Sequence, residues 1–126
     1  MGTLYVDVDD TLVDWSLDGK NNVVMTPNER VILAIRQHMH EFFELIIWSG
    51  GGGDYAFNIW HHPKVQALAG DIHPTGYMSK FWLRQGTFGD VFIDDSPFEE
   101  WADRAIHPRD LPYLRYPTMR QGAIAA

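Results

Sequence analysis

The chain has 126 residues, of which 45% are hydrophobic, and its formal net charge at pH 7 is −7. The length suits one small domain, residues 1–126. The lack of cysteine excludes disulfides and thiolate metal sites, and the negative charge disfavours binding to a nucleic-acid backbone while permitting a small phosphorylated ligand. No apolar run reaches the roughly 18 residues of a membrane span, so no membrane partner is expected. The start lacks the pattern of a secretory signal, and the expected location is the cytoplasm.

The first quarter of the chain predicts a strand, a hairpin and a helix. Residues 4–6 (Leu-Tyr-Val) predict a buried strand. Turn-forming residues between two apolar runs predict a β-hairpin over about residues 13–25. Thr26 and Glu29 have the spacing of a capping box, so Thr26 is expected to be the N-cap of a helix. One face of that helix is predicted to be apolar: Ile32, Ile35, Met39 and Phe42.

The remaining chain contains two further strong strands and several weaker elements. Residues 45–48 predict a strand that ends at Ser49, and residues 91–93 predict one that ends at Asp94. The weaker predictions, in chain order, are a helix capped by Asp54 and running to Trp60, a helix over 63–68, a short strand within 71–78, a brief helix over 79–85, a helix over 97–104, an edge strand over 105–107 and a surface tail over 108–126.

Nearly continuous apolar strands that alternate with helices predict a three-layer α/β/α sandwich around a Rossmann-like, mainly parallel sheet. Ligands of such sheets bind beyond the carboxyl ends of the strands. The polar residues fall at those ends: Asp7 and Asp9 after the first strand, Ser49 after the second, and Asp94 and Asp95 after the third. These side chains are therefore expected to converge in space.

Two acidic clusters, residues 7–10 and residues 94–95, are expected at the same edge of the sheet. Each cluster taken alone is compatible with a solvated turn. Carboxylates brought together repel one another, and a bound hard cation relieves that repulsion. Mg²⁺ is bound through carboxylate oxygens and keeps several waters. The pair of clusters therefore predicts a magnesium site.

Four segments resemble the motifs of the haloacid-dehalogenase superfamily. Residues 7–12 (DVDDTL) match its DxDxT signature. Residues 46–49 resemble its second motif, a strand ending in Ser or Thr, and residues 92–95 resemble its fourth, a strand ending in paired acids. Lys80, which precedes Asp94, is the best candidate for the third motif. The resemblance implies a magnesium-dependent phosphohydrolase.

The resemblance also implies a role for each matching residue. Asp7 would attack phosphorus and form an aspartyl-phosphate, as a carboxylate nucleophile. Asp9 would protonate the leaving oxygen and later deprotonate the attacking water, and Thr11 would orient Asp9. The phosphate would be bound by Ser49, Gly50 and Lys80. Mg²⁺ would be bound directly by Asp7, Asp94 and the carbonyl oxygen of Asp9. Asp95 would act through a water molecule or by holding the direct ligands in place.

Several of these assignments have alternatives. The phosphate-binding lysine could instead be Lys64, on a surface helix, or Lys20, in the hairpin. Ser49 could simply cap the loop that follows it. The glycines at 50–53 could bring backbone close to a phosphoryl group, or could form a flexible turn. A signature that began two residues later, at the second aspartate, would lose the general acid.

The predicted active site has no cap domain over it. Only residues 12–25 separate the first motif from the first helix, and only residues 50–79 separate Ser49 from Lys80. An open site suits a terminal phosphate on a small molecule or on a macromolecule, although the net charge disfavours a nucleic acid. Trp15 and Trp48 are candidates to flank the entrance and to stack on a ring.

The function predicted from the sequence is a phosphomonoesterase with an open active site. Two alternatives remain at this stage. The domain could bind a metal ion and a phosphorylated partner without catalysis, or it could transfer the phosphoryl group to an acceptor other than water. The oligomeric state is not predicted.

Overall fold

The structure, a computed structural model, describes residues 2–81 and 90–111, with the backbone alone for residues 100–102. The elements, in chain order, are β1 (Thr3–Asp7), β2 (Val13–Leu17), β3 (Val23–Pro27), α1 (Glu29–His38), β4 (Glu44–Ser49), α2 (Gly53–Trp60), α3 (Pro63–Ala69), β5 (Gly76–Ser79), β6 (Val91–Ile93) and β7 (Ala105–Ile106). Short 3-10 helices span Met39–Glu41, Glu99–Arg104 and Pro108–Asp110.

Five strands form one sheet in the order β5-β4-β1-β6-β7, and every pair of neighbours is parallel. The central strand β1 is buried along its whole length, as its apolar sequence predicts. The expected parallel α/β fold is thus confirmed, and residues 2–81 and 90–111 contain no cap domain. Because all strands point the same way, the residues that follow β1, β4 and β6 emerge at one edge.

The two faces of the sheet bury different side chains. On one face, Leu4 and Val6 of β1 belong to the main core, together with buried residues of α1, α2 and α3. On the other face, Tyr5 stacks on Phe92 with ring centroids 4.9 Å apart, and Trp48 lies beside both rings. Trp48 is only 2% exposed, so the suggestion that it flanks an entrance is wrong. Strand periodicity accounts for this, since residue 48 faces opposite to residue 47.

Helix α1 begins two residues later than the capping-box spacing predicts. Thr26 and Pro27 continue β3, and Pro27 lies opposite Val13 of β2. The N-cap is Asn28, whose side chain accepts hydrogen bonds from the backbone N–H groups of Arg30 and Val31. Asn28 is an equally good capping residue, and the pairing of the hairpin decides between the candidates. The predicted apolar face is buried at Ile32 and Ile35.

Three of the weaker predictions are corrected. Asp54 lies in the first turn of α2 and does not cap it, because Gly52 occupies the N-cap with a φ of 105°. The expected helix over 97–104 is a 3-10 helix over Glu99–Arg104. Ser79 ends β5 instead of beginning a helix, and the rest of the predicted 79–85 helix after residue 81 lies outside the described residues. The same holds for the tail beyond residue 111.

The hairpin β2–β3 forms a separate two-stranded antiparallel sheet, as predicted. Its turn is held by Asp18, whose Oδ1 accepts from the backbone N–H groups of Lys20 and Asn22. Leu17 and Val23, at the hairpin end, are 65% and 68% exposed. None of the helices in the described part of the chain has the length and hydropathy needed to cross a membrane.

Candidate active site

Three carboxylates meet at the carboxyl edge of the sheet. Strands β1 and β6 are adjacent, with Val6 opposite Ile93, so Asp7 and Asp94 leave neighbouring strands side by side. Carboxylate oxygens of Asp7, Asp94 and Asp95 lie within 4.8 Å of one another. Asp7 and Asp94 are buried, at 7% and 2% exposure. The two acidic clusters of the sequence thus converge on one point, as the proposed cation site requires.

Lys80 lies between two of these acids. Its Nζ donates to Oδ2 of Asp94 at 2.6 Å and to Oδ1 of Asp7 at 3.3 Å. The backbone N–H of Lys80 donates to the carbonyl of Ser49 at 2.9 Å, which ties the lysine to the end of β4. By contrast, Nζ of Lys64 donates to the carbonyl of Met25, and Lys20 lies exposed in the hairpin turn. Among the three candidate lysines, the structure brings Lys80 to the acids.

Burial disfavours the charged forms of the side chains in this cluster. Burial, followed by repulsion from Asp94, raises the pKa of Asp7 from its ordinary 3.8 to about 8, although Lys80 opposes the rise. For Lys80, burial alone would lower the pKa. The hydrogen bond that Lys80 donates to Asp94 and the charges of both acids outweigh this effect and raise the pKa of Lys80. The lysine therefore stays charged, and one cation is too few for the buried carboxylates around it.

The hydroxyl of Thr11 links the two acidic segments. Thr11 Oγ1 lies 3.3 Å from Oδ2 of Asp7 and 3.1 Å from Oδ1 of Asp95, and it accepts from the backbone N–H of Asp95 at 3.1 Å. Its single proton serves one of the two carboxylates at a time. The predicted contact with Asp9 is not among these, so Thr11 orients Asp7 and Asp95 instead.

Asp94 is fixed on its other side by backbone. Its Oδ1 accepts from the N–H of Ser96 at 2.9 Å, and its own N–H donates to the carbonyl of Ile106 at 3.1 Å. One carboxylate oxygen of Asp94 therefore accepts from Lys80, and the other accepts from the backbone N–H of Ser96. Such fixed carboxylates suit metal binding, because ligands held by a second set of hydrogen bonds lose little freedom.

The side chain of Asp9 points to a different set of partners. Its Oδ1 accepts from Nε1 of Trp15 at 2.8 Å and from Oη of Tyr55 at 2.6 Å. Burial and the hydrogen bond to Asp9 raise the pKa of Tyr55, so the phenol keeps its proton and remains a donor. The Asp9 carboxylate is not part of the acidic cluster. A contribution of Asp9 to the metal would have to come from its carbonyl, as the resemblance implies.

Ser49 and the glycines connect β4 to α2. The hydroxyl of Ser49 accepts from the N–H of Gly51 at 3.0 Å, as the loop-cap alternative requires. A Cβ on Gly51 would lie 2.9 Å from Cδ2 of Tyr55, and one on Gly53 would lie 3.1 Å from the carbonyl of Tyr77. These glycines therefore permit close packing. Gly50 is exposed at the start of this loop.

Tyr55 is the site residue that sequence reasoning missed. It follows Asp54 in a stretch whose helical pattern gives no hint of an acidic partner. The bond to Asp9 joins residues 46 positions apart, so it depends on how α2 is set against β1. The local signal for the position of Tyr55 is the glycine at position 51, which leaves room for the tyrosine ring.

The raised pKa of Asp7 predicts how stability depends on pH. In metal-free protein kept in chelator, the folded chain keeps a proton on Asp7 that the unfolded chain has lost between pH 3.8 and about 8. Stability from this group therefore falls as pH rises through that window. Denaturant melts of wild type and Asp7→Asn at several pH values should show wild type losing stability relative to the variant. A difference that grows in favour of wild type would contradict the assignment.

Comparison of the chain with protein-family models and with curated proteins finds no match. The parallel α/β sheet and its buried acidic cluster, which could hold a metal ion, therefore stand on the structure alone.

Proposed function

We propose that this chain is a magnesium-dependent phosphohydrolase of the haloacid-dehalogenase type, which works through an aspartyl-phosphate on Asp7. One observation carries the proposal: Asp7 ends the central strand with Asp94 and Asp95 beside it and Lys80 bonded to it. A carboxylate nucleophile next to acidic ligands and a buried cation is the set of groups that phosphoryl transfer through a covalent intermediate requires.

The residues fit a divalent ion. The donor set is made of carboxylate oxygens alone, which suits a hard cation such as Mg²⁺. The buried acids Asp7 and Asp94 have Lys80 as their nearby cation. Burial, and then repulsion from Asp94, keeps the pKa of Asp7 raised despite that cation. Asp7, Asp94 and Asp95 would hold the ion, with the Asp9 carbonyl as a further ligand. When bound, the ion offsets the charge of the phosphate and of the nucleophile.

The side chains then divide the reaction between them. A carboxylate oxygen of Asp7 forms a bond to phosphorus while the phosphorus–oxygen ester bond breaks. The electron pair of the ester bond stays on the leaving oxygen. Asp9 gives that oxygen a proton. Water then attacks phosphorus, Asp9 takes a proton from it, and the bond to Asp7 breaks to release phosphate and restore the carboxylate.

Lys80 and Ser49 are proposed to bind the phosphoryl oxygens. Nζ of Lys80 already contacts the nucleophile, so an incoming phosphoryl group bound to Asp7 would lie within reach of it. Gly50 and its neighbours follow Ser49 directly and would offer backbone N–H groups. Because the described residues form no cap over the site, we propose that the substrate is a phosphate at the end of a small molecule or a macromolecule.

A panel of phosphate esters tests the function. Purified chain is assayed on an aryl phosphate, nucleotides, a 3′-phosphorylated oligonucleotide and phosphopeptides, with Mg²⁺ and with chelator. We expect release of phosphate from at least one substrate with Mg²⁺ and a loss of at least about 100-fold with chelator.

Two outcomes would replace the proposal. Thermal stabilisation by Mg²⁺ without turnover of any ester would favour a domain that binds without catalysis. Phosphorylated alcohols formed when glycerol is added, in place of free phosphate, would favour transfer to an acceptor other than water.

A further inference from the structure

The Asp9 carboxylate is held by two aromatic donors that come from different parts of the fold. Trp15 lies in β2 of the hairpin, and Tyr55 lies in the first half of α2. Both donate to the same atom, Oδ1 of Asp9, over 2.8 Å and 2.6 Å. Two donors on one oxygen restrict the position of that oxygen more than a single donor would.

The other oxygen of Asp9 is left available. Within residues 2–81 and 90–111, Oδ2 of Asp9 has no hydrogen-bond partner, and the side chain is only partly buried. A proton on Asp9 would therefore reside on Oδ2, because Oδ1 already accepts two hydrogen bonds. That arrangement leaves one oxygen for holding the group and one for proton transfer.

Close packing against Gly51 holds the ring of Tyr55 in position. The ring lies so close to Gly51 that a Cβ there would come within 2.9 Å of it. Since Gly51 also donates its N–H to Ser49, the ring is set against the loop at the end of β4. Tyr55 thus bridges the loop and Asp9.

We propose that Tyr55 and Trp15 are positioning residues that hold Asp9 in the orientation for protonating the leaving oxygen. This inference rests on the proposed phosphohydrolase function. As the phosphorus–oxygen ester bond breaks, the leaving oxygen keeps the bonding electrons and takes the proton from Oδ2 of Asp9, while Asp7 bonds to phosphorus. Tyr55 and Trp15 act through Asp9 and do not touch the reacting atoms.

The test compares leaving groups. Tyr55→Phe and Trp15→Phe keep the rings but remove the donors. Their kcat/KM is measured with Mg²⁺ on phenyl phosphate, whose leaving group needs a proton, and on dinitrophenyl phosphate, whose leaving group does not. We expect roughly a tenfold loss on phenyl phosphate for each variant and less than about a twofold loss on dinitrophenyl phosphate. kcat/KM is the right quantity, because it reports on the step in which the ester bond breaks.

Two controls separate positioning from general damage. Tyr77→Phe removes a half-buried phenol whose ring packs on Phe57 and His61, with no bond to Asp9. It should leave both substrates unchanged. In an Asp9→Ala background, Tyr55→Phe should add nothing further, because a residue that acts through Asp9 has no effect once Asp9 is gone.

The outcomes are distinct. Equal losses on both substrates, or a full additional loss in the Asp9→Ala background, would overturn the positioning role while wild-type turnover upholds the proposed function. A wild type inactive with Mg²⁺ on these two esters and on every ester of the panel would overturn the function and this inference with it. Where only another ester of the panel turns over, the Asp9→Ala comparison made on that ester decides. If Tyr55→Phe does not fold by circular dichroism, Trp15→Phe decides, since Trp15 is 41% exposed and tolerates change.

Discussion

Asp7→Asn should abolish turnover and leave the metal-free protein at least as stable as wild type. The amide cannot attack phosphorus, so we expect a loss of about 10⁴-fold or more in kcat. Stability should not fall, because burial and Asp94 already favour the neutral form of this side chain, with a pKa of about 8. Lys80 keeps its shorter bond, 2.6 Å to Asp94.

Steady-state assays and denaturant melts in chelator check both halves of this prediction. Asp14→Asn, a neutralised aspartate on the exposed face of the hairpin, is the matched control and should change neither quantity. An Asp7→Asn variant with more than a tenth of wild-type activity would remove Asp7 from the role of nucleophile. One that is inactive but largely unfolded would show that the carboxylate is needed for the fold.

Lys80→Met should destabilise the metal-free protein more than any other single lysine change. The methionine side chain fills a similar volume but leaves the buried Asp94 carboxylate, with the Asp7 carboxyl group beside it, without its cation. Breaking a buried ion pair in this way costs roughly 3 kcal/mol of unfolding free energy. Mg²⁺ should recover part of that loss, since a divalent ion at the same acids replaces the missing charge. Activity should fall about 100-fold or more even with Mg²⁺, because a phosphoryl-binding cation is gone.

Lys64→Met is the matched control for this change. Nζ of Lys64 donates to the backbone carbonyl of Met25 at 3.0 Å and has no carboxylate partner among the described residues. We expect a cost of about 1 kcal/mol or less and no loss of activity. Equal effects of the two variants on stability would mean that the charge of Lys80 contributes little, and equal effects on activity would remove it from the site.

The sheet and the acidic cluster could be predicted because their signals are local. Apolar runs ending at Asp7, Ser49 and Asp94 indicate parallel strands, and the shared strand direction then brings the acids together. The burial of Trp48 could also be predicted from the sequence. Strand alternation puts it on the face opposite Ile47, where it packs against Tyr5 and Phe92.

Other features depended on contacts that sequence patterns do not carry. Thr26 and Asn28 both suit a helix N-cap, and the choice of Asn28 follows from the pairing of Pro27 with Val13 across the hairpin. Likewise, the link from Tyr55 to Asp9 arises only when α2 packs on β4 beside β1. Side-chain hydrogen bonds over long sequence separations are set by packing, and local propensity cannot select them.

A crystal structure of the chain grown with MgCl₂ and beryllium fluoride, a mimic of a phosphoryl group on aspartate, tests the central claim most directly. We expect one cation bound by Asp7 and Asp94 at about 2.1 Å from their oxygens, and a fluoroberyllate group on the Asp7 carboxylate within reach of Lys80. Asp7 and Asp94 still bonded to Lys80 alone at saturating magnesium, with no cation and an unmodified Asp7, would contradict the account.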